Sequence, residues 1–228
     1  MNPRLCGLLA IAYLYGAVPF GFLAARLIKG VDIRTTGSGN IGATNAARVL
    51  GFRFFPFILL LDLSKGLLPT LAAALLVPEG TWDPHPLAVG TGLAAILGHV
   101  FPVYLGFKGG KGVATSTGVF LVLAPWQVLI AAAVWGTMFA LWRYVSLASI
   151  SAAVALPAAV WLMHSDPLGE GLFLTGMATF GGLLVIYLHR ANIGRLLAGT
   201  EDRIGKGPCE PAVGSSREDA TDNRRGET

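Results

Sequence analysis

The stretch V-A-T-S-T-G-V-F-L-V-L-A-P-W-Q-V-L-I-A-A-A-V-W-G-T-M-F-A-L-W-R-Y, Val113 to Tyr144, decides how the chain is threaded. It holds two apolar runs, Val113 to Ala124 and Gln127 to Leu141, divided by Pro125-Trp126. Proline has no N–H to donate and clashes with a preceding helical turn, so it marks a boundary. Each run is short for a crossing of about 20 residues, and fused they make one very long helix. A single helix sends Arg143 to the side opposite Lys108 and Lys111. Two helices with a tight turn return it to theirs.

Outward from this stretch, the composition sets the class. Of 228 residues 54% are hydrophobic and 13% charged, about half the charged share of a soluble domain. The chain reads as an all-α integral membrane protein. Five further apolar runs are Leu5 to Ile28, Phe54 to Val77, Leu87 to Phe107, Tyr144 to Met163 and Gly171 to Leu188. The first is too long for the h-region of a cleaved signal, so it counts as a retained span.

Seven transmembrane helices put Lys29 to Arg53, Lys108 and Lys111, Arg143, and Arg190 to Arg203 on one side. Glu79, Asp83, Asp166 and Glu170 fall on the other, and only Arg4 breaks the pattern. The positive-inside rule then predicts the N-terminus out and the C-terminus in. A single helix through Pro125 destroys this separation, so the two-helix reading stands. Residues 1–203 form the membrane domain, and 204–228, rich in Gly, Pro, Ser and mixed charge, form a tail expected to be disordered.

The net charge of +4 is modest and one-sided, which fits membrane topology and an anionic ligand better than nucleic acid. Cys6 and Cys209 have no ligand-like spacing, and acidic residues are sparse on the basic side. Neither a metal site nor a cofactor is expected.

The chemistry-bearing motifs all sit on the basic side. Lys108 to Ser116, K-G-G-K-G-V-A-T-S, follows G-H-V-F-P-V-Y-L-G-F and offers Lys108, Lys111, Gly109, Gly110, Gly112 and Thr115. Glycines admit a ligand close to the backbone, and consecutive N–H groups form an anion-binding concavity. Val31 to Arg53 carries four glycines and three arginines. Its Ser38-Gly39-Asn40 turn precedes a short helix, Ala43 to Leu50, with Thr44, Asn45 and Arg48. That helix points its N-terminus at the turn. The rival reading is a solvated basic loop.

Asp62 and Lys65 lie inside the second span, three residues apart, and either neutralise each other or meet a ligand. His99 lies close before the lysines, as a packing residue or a functional one. Ser146 and Ser149 share a helical face, which suits helix packing or a site. His189, Asn192 and Arg195 recur every three residues on one face.

Some patterns are missing. No histidine has aspartate five positions later, since Gly90, Tyr104, Gly169 and Gly194 occupy those places. The H-x-x-x-x-D arrangement of many acyl-CoA acyltransferases is therefore absent. The lysine motif also lacks the spacing of a nucleotide P-loop.

Three long motifs carry a resemblance: S-G-N-I-G-A-T-N-A-A-R at Ser38 to Arg48, G-H-V-F-P-V-Y-L-G-F-K-G-G-K-G-V-A-T at Gly98 to Thr115, and H-R-A-N-I-G-R-L at His189 to Leu196. With L-D-L-S-K-G at Leu61 to Gly66, they resemble the bacterial acyl-phosphate:glycerol-3-phosphate acyltransferase family, PlsY, over residues 5 to 203.

The resemblance implies transfer of a fatty acyl group from acyl-phosphate to the 1-hydroxyl of glycerol 3-phosphate. The products are lysophosphatidic acid and phosphate. It implies a monomer in the bacterial cytoplasmic (inner) membrane, with its site facing the cytoplasm. Ser38, Arg48, Lys111, His189 and Asn192 are then the expected catalytic residues. Gly39, Asn40, Thr44, Asn45, His99, Lys108, Gly109, Gly110, Gly112, Thr115, Ser146, Ser149 and Arg195 are the expected binding set. The alternative is a transporter or channel for a small phosphorylated anion, disfavoured because no internal repeat is visible and the motifs cluster on one side.

Overall fold

Long apolar runs leave the backbone little choice in a bilayer but to bond within helices. The computed structural model describes residues 3–76 and 86–205, and every regular element among them is helical. In order these are α1 (Pro3–Gly16), α2 (Phe20–Lys29), α3 (Ala43–Leu50), α4 (Phe55–Leu75), α5 (Pro86–Val100), α6 (Val113–Leu123), α7 (Pro125–Trp142), α8 (Val145–Met163), α9 (Leu172–Leu188) and α10 (Arg190–Leu197).

Pro125 does divide the deciding stretch. It opens α7, and Ala124 before it leaves the helical region at φ −154°, ψ 63°. The first run is also broken, with a 40° bend between α1 and α2 at Val18-Pro19, where proline supplies no donor. Four helices are long and apolar enough to cross a membrane: α4 with the turn before it, α5 with the turn after it, α7 and α8. The bent pairs α1–α2 and α9–α10 raise this to six. At 11 residues α6 rises about 16 Å, well short of a hydrocarbon core about 30 Å thick.

Small residues set the packing. At the α1–α5 contact Gly16 lies against the backbone of Ala95, and Gly98 against that of Tyr13. At the α4–α6 contact Gly66 meets the Thr115 carbonyl, and Gly118 meets that of Leu63. Without a hydrophobic driving force between helices in lipid, such close approach is what holds them together.

One apolar core joins α5, α6, α8 and α9 through Ile96, Val119, Phe120, Val160 and Met177; a second joins α2, α3 and α4 through Ala25, Ala46, Leu50 and Ile58. Leu60, Leu68, Leu129, Leu162 and Leu183 are exposed, as lipid-facing positions require. Since α4 packs along α5 and α6 while α7 pairs with α8, the short α6 bridges two layers. Glu79 and Asp83, and the tail from residue 206, lie outside the described residues. Ile204, placed in the tail by composition, donates its N–H to the Arg143 carbonyl at 3.0 Å.

Candidate active site

A cavity of about 490 Å³ lies where α3, α6 and α8 begin. Its walls include the first-turn residues Ala43 and Thr44, Val113 and Ala114, and Val145 and Ser146. First-turn N–H groups have no partner within their helix and carry the positive end of its dipole. Three helix N-termini therefore converge on one space, an arrangement that favours an anion. Ser38, Arg48, Lys111, His189 and Asn192 line the same cavity. Asp62, His99, Glu201 and Asp202 border it too, and an apolar stretch of its wall is made by Phe55, Leu59, Leu63, Val128, Trp135 and Leu156. A second, polar recess of about 220 Å³ adjoins it, lined by Ser38, Gly39, Asn40, Lys111, Arg190, Asn192 and Arg195.

The first motif loop is held by Asn45. Its amide nitrogen donates to the carbonyls of Ile33, Thr36 and Asn40 at 2.9 to 3.0 Å, while its oxygen accepts from Ser38 N–H at 3.0 Å. Gly37 turns at φ 59° directly over that amide, where a side chain would collide. Asn40 accepts from Gly42 N–H at 2.9 Å and so starts α3. Asn45, with its whole amide engaged, and Asn40, with its Oδ1 engaged, thus shape the wall that Ser38 and Thr44 also line.

In the glycine motif the expected concavity of free amides is not what forms. Gly109 and Gly110 donate their N–H groups to the carbonyls of Val100 and His99, both at 3.1 Å, covering the end of α5. The open donors belong instead to the first turn of α6, entered through Gly112 at φ 76°. Lys111 reaches the cavity, whereas Lys108 is exposed and lines neither space. Thr115 is fully buried and donates to the Asp62 carbonyl at 2.9 Å. Ser149 donates to Val145 at 2.8 Å and accepts from the Trp135 indole at 3.3 Å, so it packs α7 on α8 at the cavity wall.

His189 sits at the 55° bend between α9 and α10. Its Nδ1 bonds the Val185 carbonyl at 2.8 Å, so Nδ1 carries the hydrogen and Nε2 is left as an acceptor. One turn on, Asn192 Oδ1 accepts from Lys111 Nζ, and its Nδ2 donates to Glu201 at 2.6 Å. Arg195 Nε donates to the other oxygen of Glu201, also at 2.6 Å. The helical spacing of His189, Asn192 and Arg195 is therefore realised as one face, with the first two in the larger cavity and the third in the recess.

Burial lowers the Lys111 ammonium to a pKa of about 8, with Arg195 and Arg48 adding to the effect and Glu201 opposing it. Burial by itself would raise Glu201, but the hydrogen bonds from Asn192 and Arg195 and the Arg195 charge oppose it, and the carboxyl stays below its ordinary value.

Glu201 and Asp202 were not among the expected site residues. Gly199, at φ 69°, stops α10 and turns the chain back, so that Asp202 reaches Arg48 at 3.0 Å. The signal was a glycine stop followed, after Thr200, by two acidic residues beside a basic helix.

A profile of the family described as glycerol-3-phosphate acyltransferase matches residues 6–199. The glycerol-3-phosphate acyltransferase of Geobacter sulfurreducens is 51% identical over 197 residues, covering 86% of this chain and 96% of that protein. That of Geotalea daltonii is 50% identical over 191 residues, covering 84% and 93%. Two crystal structures of PlsY, an integral membrane glycerol 3-phosphate acyltransferase, are similar at 42% identity over 89% of this chain and 96% of theirs. The TM-score is 0.80 for the glycerol 3-phosphate form and 0.77 for the lysophosphatidic acid form. With this likeness spanning nearly all of the helical bundle, the chain belongs to the glycerol-3-phosphate acyltransferase family and is a bacterial membrane enzyme of that family.

Proposed function

We propose that the fatty acyl group comes from acyl-phosphate and passes directly to the 1-hydroxyl of glycerol 3-phosphate. The observation that carries this is one cavity joining an anion-binding end to an apolar groove. The end holds Arg48, Lys111, His189, Asn192 and three helix N-termini; the groove runs past Leu59, Leu63, Val128, Trp135 and Leu156. An acyl-phosphate has that shape, with a charged head on an apolar chain.

The cavity and the adjoining recess share Ser38, Lys111 and Asn192, so two phosphates meet on common donors. In the transfer, the hydroxyl oxygen attacks the acyl carbonyl carbon, the bond from that carbon to the phosphate oxygen breaks, and inorganic phosphate leaves. The hydroxyl proton passes to a phosphate oxygen, whose second pKa near 6 suits the task. Because the mixed anhydride is already activated, positioning and charge stabilisation supply the catalysis. Ser38, Arg48, Lys111, His189 and Asn192 act on the reacting groups, and Gly39, Thr44, Gly112, Ser146 and Arg195 line the places where the phosphates sit.

The seven apolar segments are read as seven crossings with the N-terminus out and the C-terminus in. α6 is the short one, and the site faces the cytoplasm across the inner membrane. The charge separation of the loops supports this orientation. Residues 1–203 form the catalytic domain, which works as a monomer. The reading is tested with purified protein in lipid nanodiscs given glycerol 3-phosphate and, in turn, acyl-phosphate, acyl-CoA or acyl carrier protein. Equal amounts of lysophosphatidic acid and phosphate from acyl-phosphate alone support it, and product from a thioester donor instead refutes it.

A further inference from the structure

Asp62 and Lys65, buried in the middle of α4, are not used by the reaction scheme above. Lys65 is 1% exposed, yet its ammonium is fully engaged. It donates to Asp62 Oδ1 at 2.5 Å, lies 3.3 Å from His99 Nδ1, and faces the Phe20 ring 4.9 Å from its centroid. Three hydrogens meet three acceptors, so no capacity remains for a ligand.

An ammonium can only donate, so His99 Nδ1 is the acceptor and its hydrogen resides on Nε2. That Nε2 edge lies directly against Gly110, where any side chain would overlap it. The His99 carbonyl also receives the Gly110 N–H. His99 and Asp62 both border the cavity that Lys111 and Gly112 line. A charged pair at this depth is costly unless it is satisfied or has a task.

We propose that Asp62 and Lys65 are positioning residues: Lys65, held by Asp62, fixes His99 as its Nε2–H tautomer and so presents a neutral hydrogen-bond donor beneath Gly110 at the floor of the site. The donor serves a phosphate or developing oxyanion beside Lys111, where an imidazolium would compete with the lysine for charge. This role rests on the cavity being the reaction site, but the tautomer itself does not.

The first test therefore needs neither substrate nor variant enzyme activity. In 15N-histidine-labelled protein in nanodiscs, with His99 assigned from the His99→Asn difference spectrum, Nδ1 is expected bare and Nε2 protonated. A hydrogen on Nδ1, or a mixture of tautomers, overturns the proposal even if acyl transfer is confirmed.

The second test is kinetic. Asp62→Asn with Lys65→Met, and separately His99→Phe, should each lower kcat/KM by about 10²-fold, as loss of one preorganised donor does. Combined, they should lose no more than His99→Phe alone. Losses that multiply would mean that the α4 pair does not act through the ring. His99→Gln, whose amide nitrogen reaches the Nε2 position, should stay within about tenfold of the parent; a loss equal to that of phenylalanine would rule out the donor. Circular dichroism and elution volume identify any variant that fails to fold, for which the tautomer measurement decides.

Discussion

Arg48 Nη1 lies 3.0 Å from Asp202 Oδ2, across the mouth of the cavity. The pair joins the first motif helix to the strap that follows α10, and it leaves the arginine engaged by a carboxylate where a substrate phosphate is proposed to sit. Asp202 is 65% exposed, so water weakens the pair to at most about 1 kcal/mol. Asp202→Asn should therefore lower the KM for glycerol 3-phosphate by no more than about fivefold, with kcat little changed. Arg48→Lys, which loses the bidentate fork, should cost far more than its retained charge suggests, on the order of 10² in kcat/KM. Steady-state kinetics in nanodiscs at fixed acyl-phosphate check both.

Lys111 gives the site a pH dependence. Burial brings its ammonium to about 8 in the free enzyme, and only the protonated form attracts a phosphate dianion. A bound dianion in turn stabilises the ammonium. The KM for glycerol 3-phosphate should accordingly be flat between pH 7 and 8 and rise above pH 8, approaching about tenfold per pH unit. Lys111→Ala should be slow throughout and lack the rise. An unchanged KM up to pH 10 in the parent enzyme would show that the Lys111 charge does not contribute to binding.

Gly110 has the ring of His99 where a Cβ would be. Gly110→Ala must push that buried ring or lift the loop from α5, at a cost of about 1–3 kcal/mol. The expected outcome is a lower melting temperature and strongly reduced kcat/KM. Gly7→Ala, at a glycine with open space around it, serves as the control and should change neither. Thermal shift and activity measured on the same preparations separate the two effects.

The apolar groove predicts acyl-chain selection. Ala131 lines it and is buried, and Ala131→Phe fills part of its volume. Chains too long for the remaining space lose about 0.8 kcal/mol for each methylene no longer buried. Competition between acyl-phosphates of graded length should show the optimum moving to shorter chains, while the KM for glycerol 3-phosphate stays constant.

What the sequence made legible follows the range of the interactions. The helix boundary at Pro125 and the face formed by His189, Asn192 and Arg195 are local, and both occur; the motif turn expected at Ser38-Gly39-Asn40 falls slightly earlier, at Gly37-Ser38, closed by the Gly39 N–H on the Thr36 carbonyl. The pairing of Asp62 with Lys65 within one helical turn was likewise open to reading. The break between α1 and α2 depended on whether neighbouring helices would satisfy the backbone around Pro19, which sequence does not state. The amides of Gly109 and Gly110 looked free because their acceptors, the carbonyls of Val100 and His99, become available only when α5 ends beside the loop. Glu201 was missed because it meets its partners Asn192 and Arg195 only after α10 stops and the chain turns back at Gly199. Local periodicity reports helices and faces, whereas the electrostatics of this site depend on chain reversals.

The most direct measurement is a structure of the protein in lipid with glycerol 3-phosphate and a non-transferable acyl-phosphonate bound together. Both phosphorus groups are expected among Ser38, Arg48, Lys111, His189, Asn192 and the first turns of α3, α6 and α8, with Asp202 released from Arg48. The acyl chain should run past Leu59, Val128, Trp135 and Leu156. Phosphorus groups held instead at exposed Lys108, or an acyl chain lying outside that groove, would contradict the proposed site.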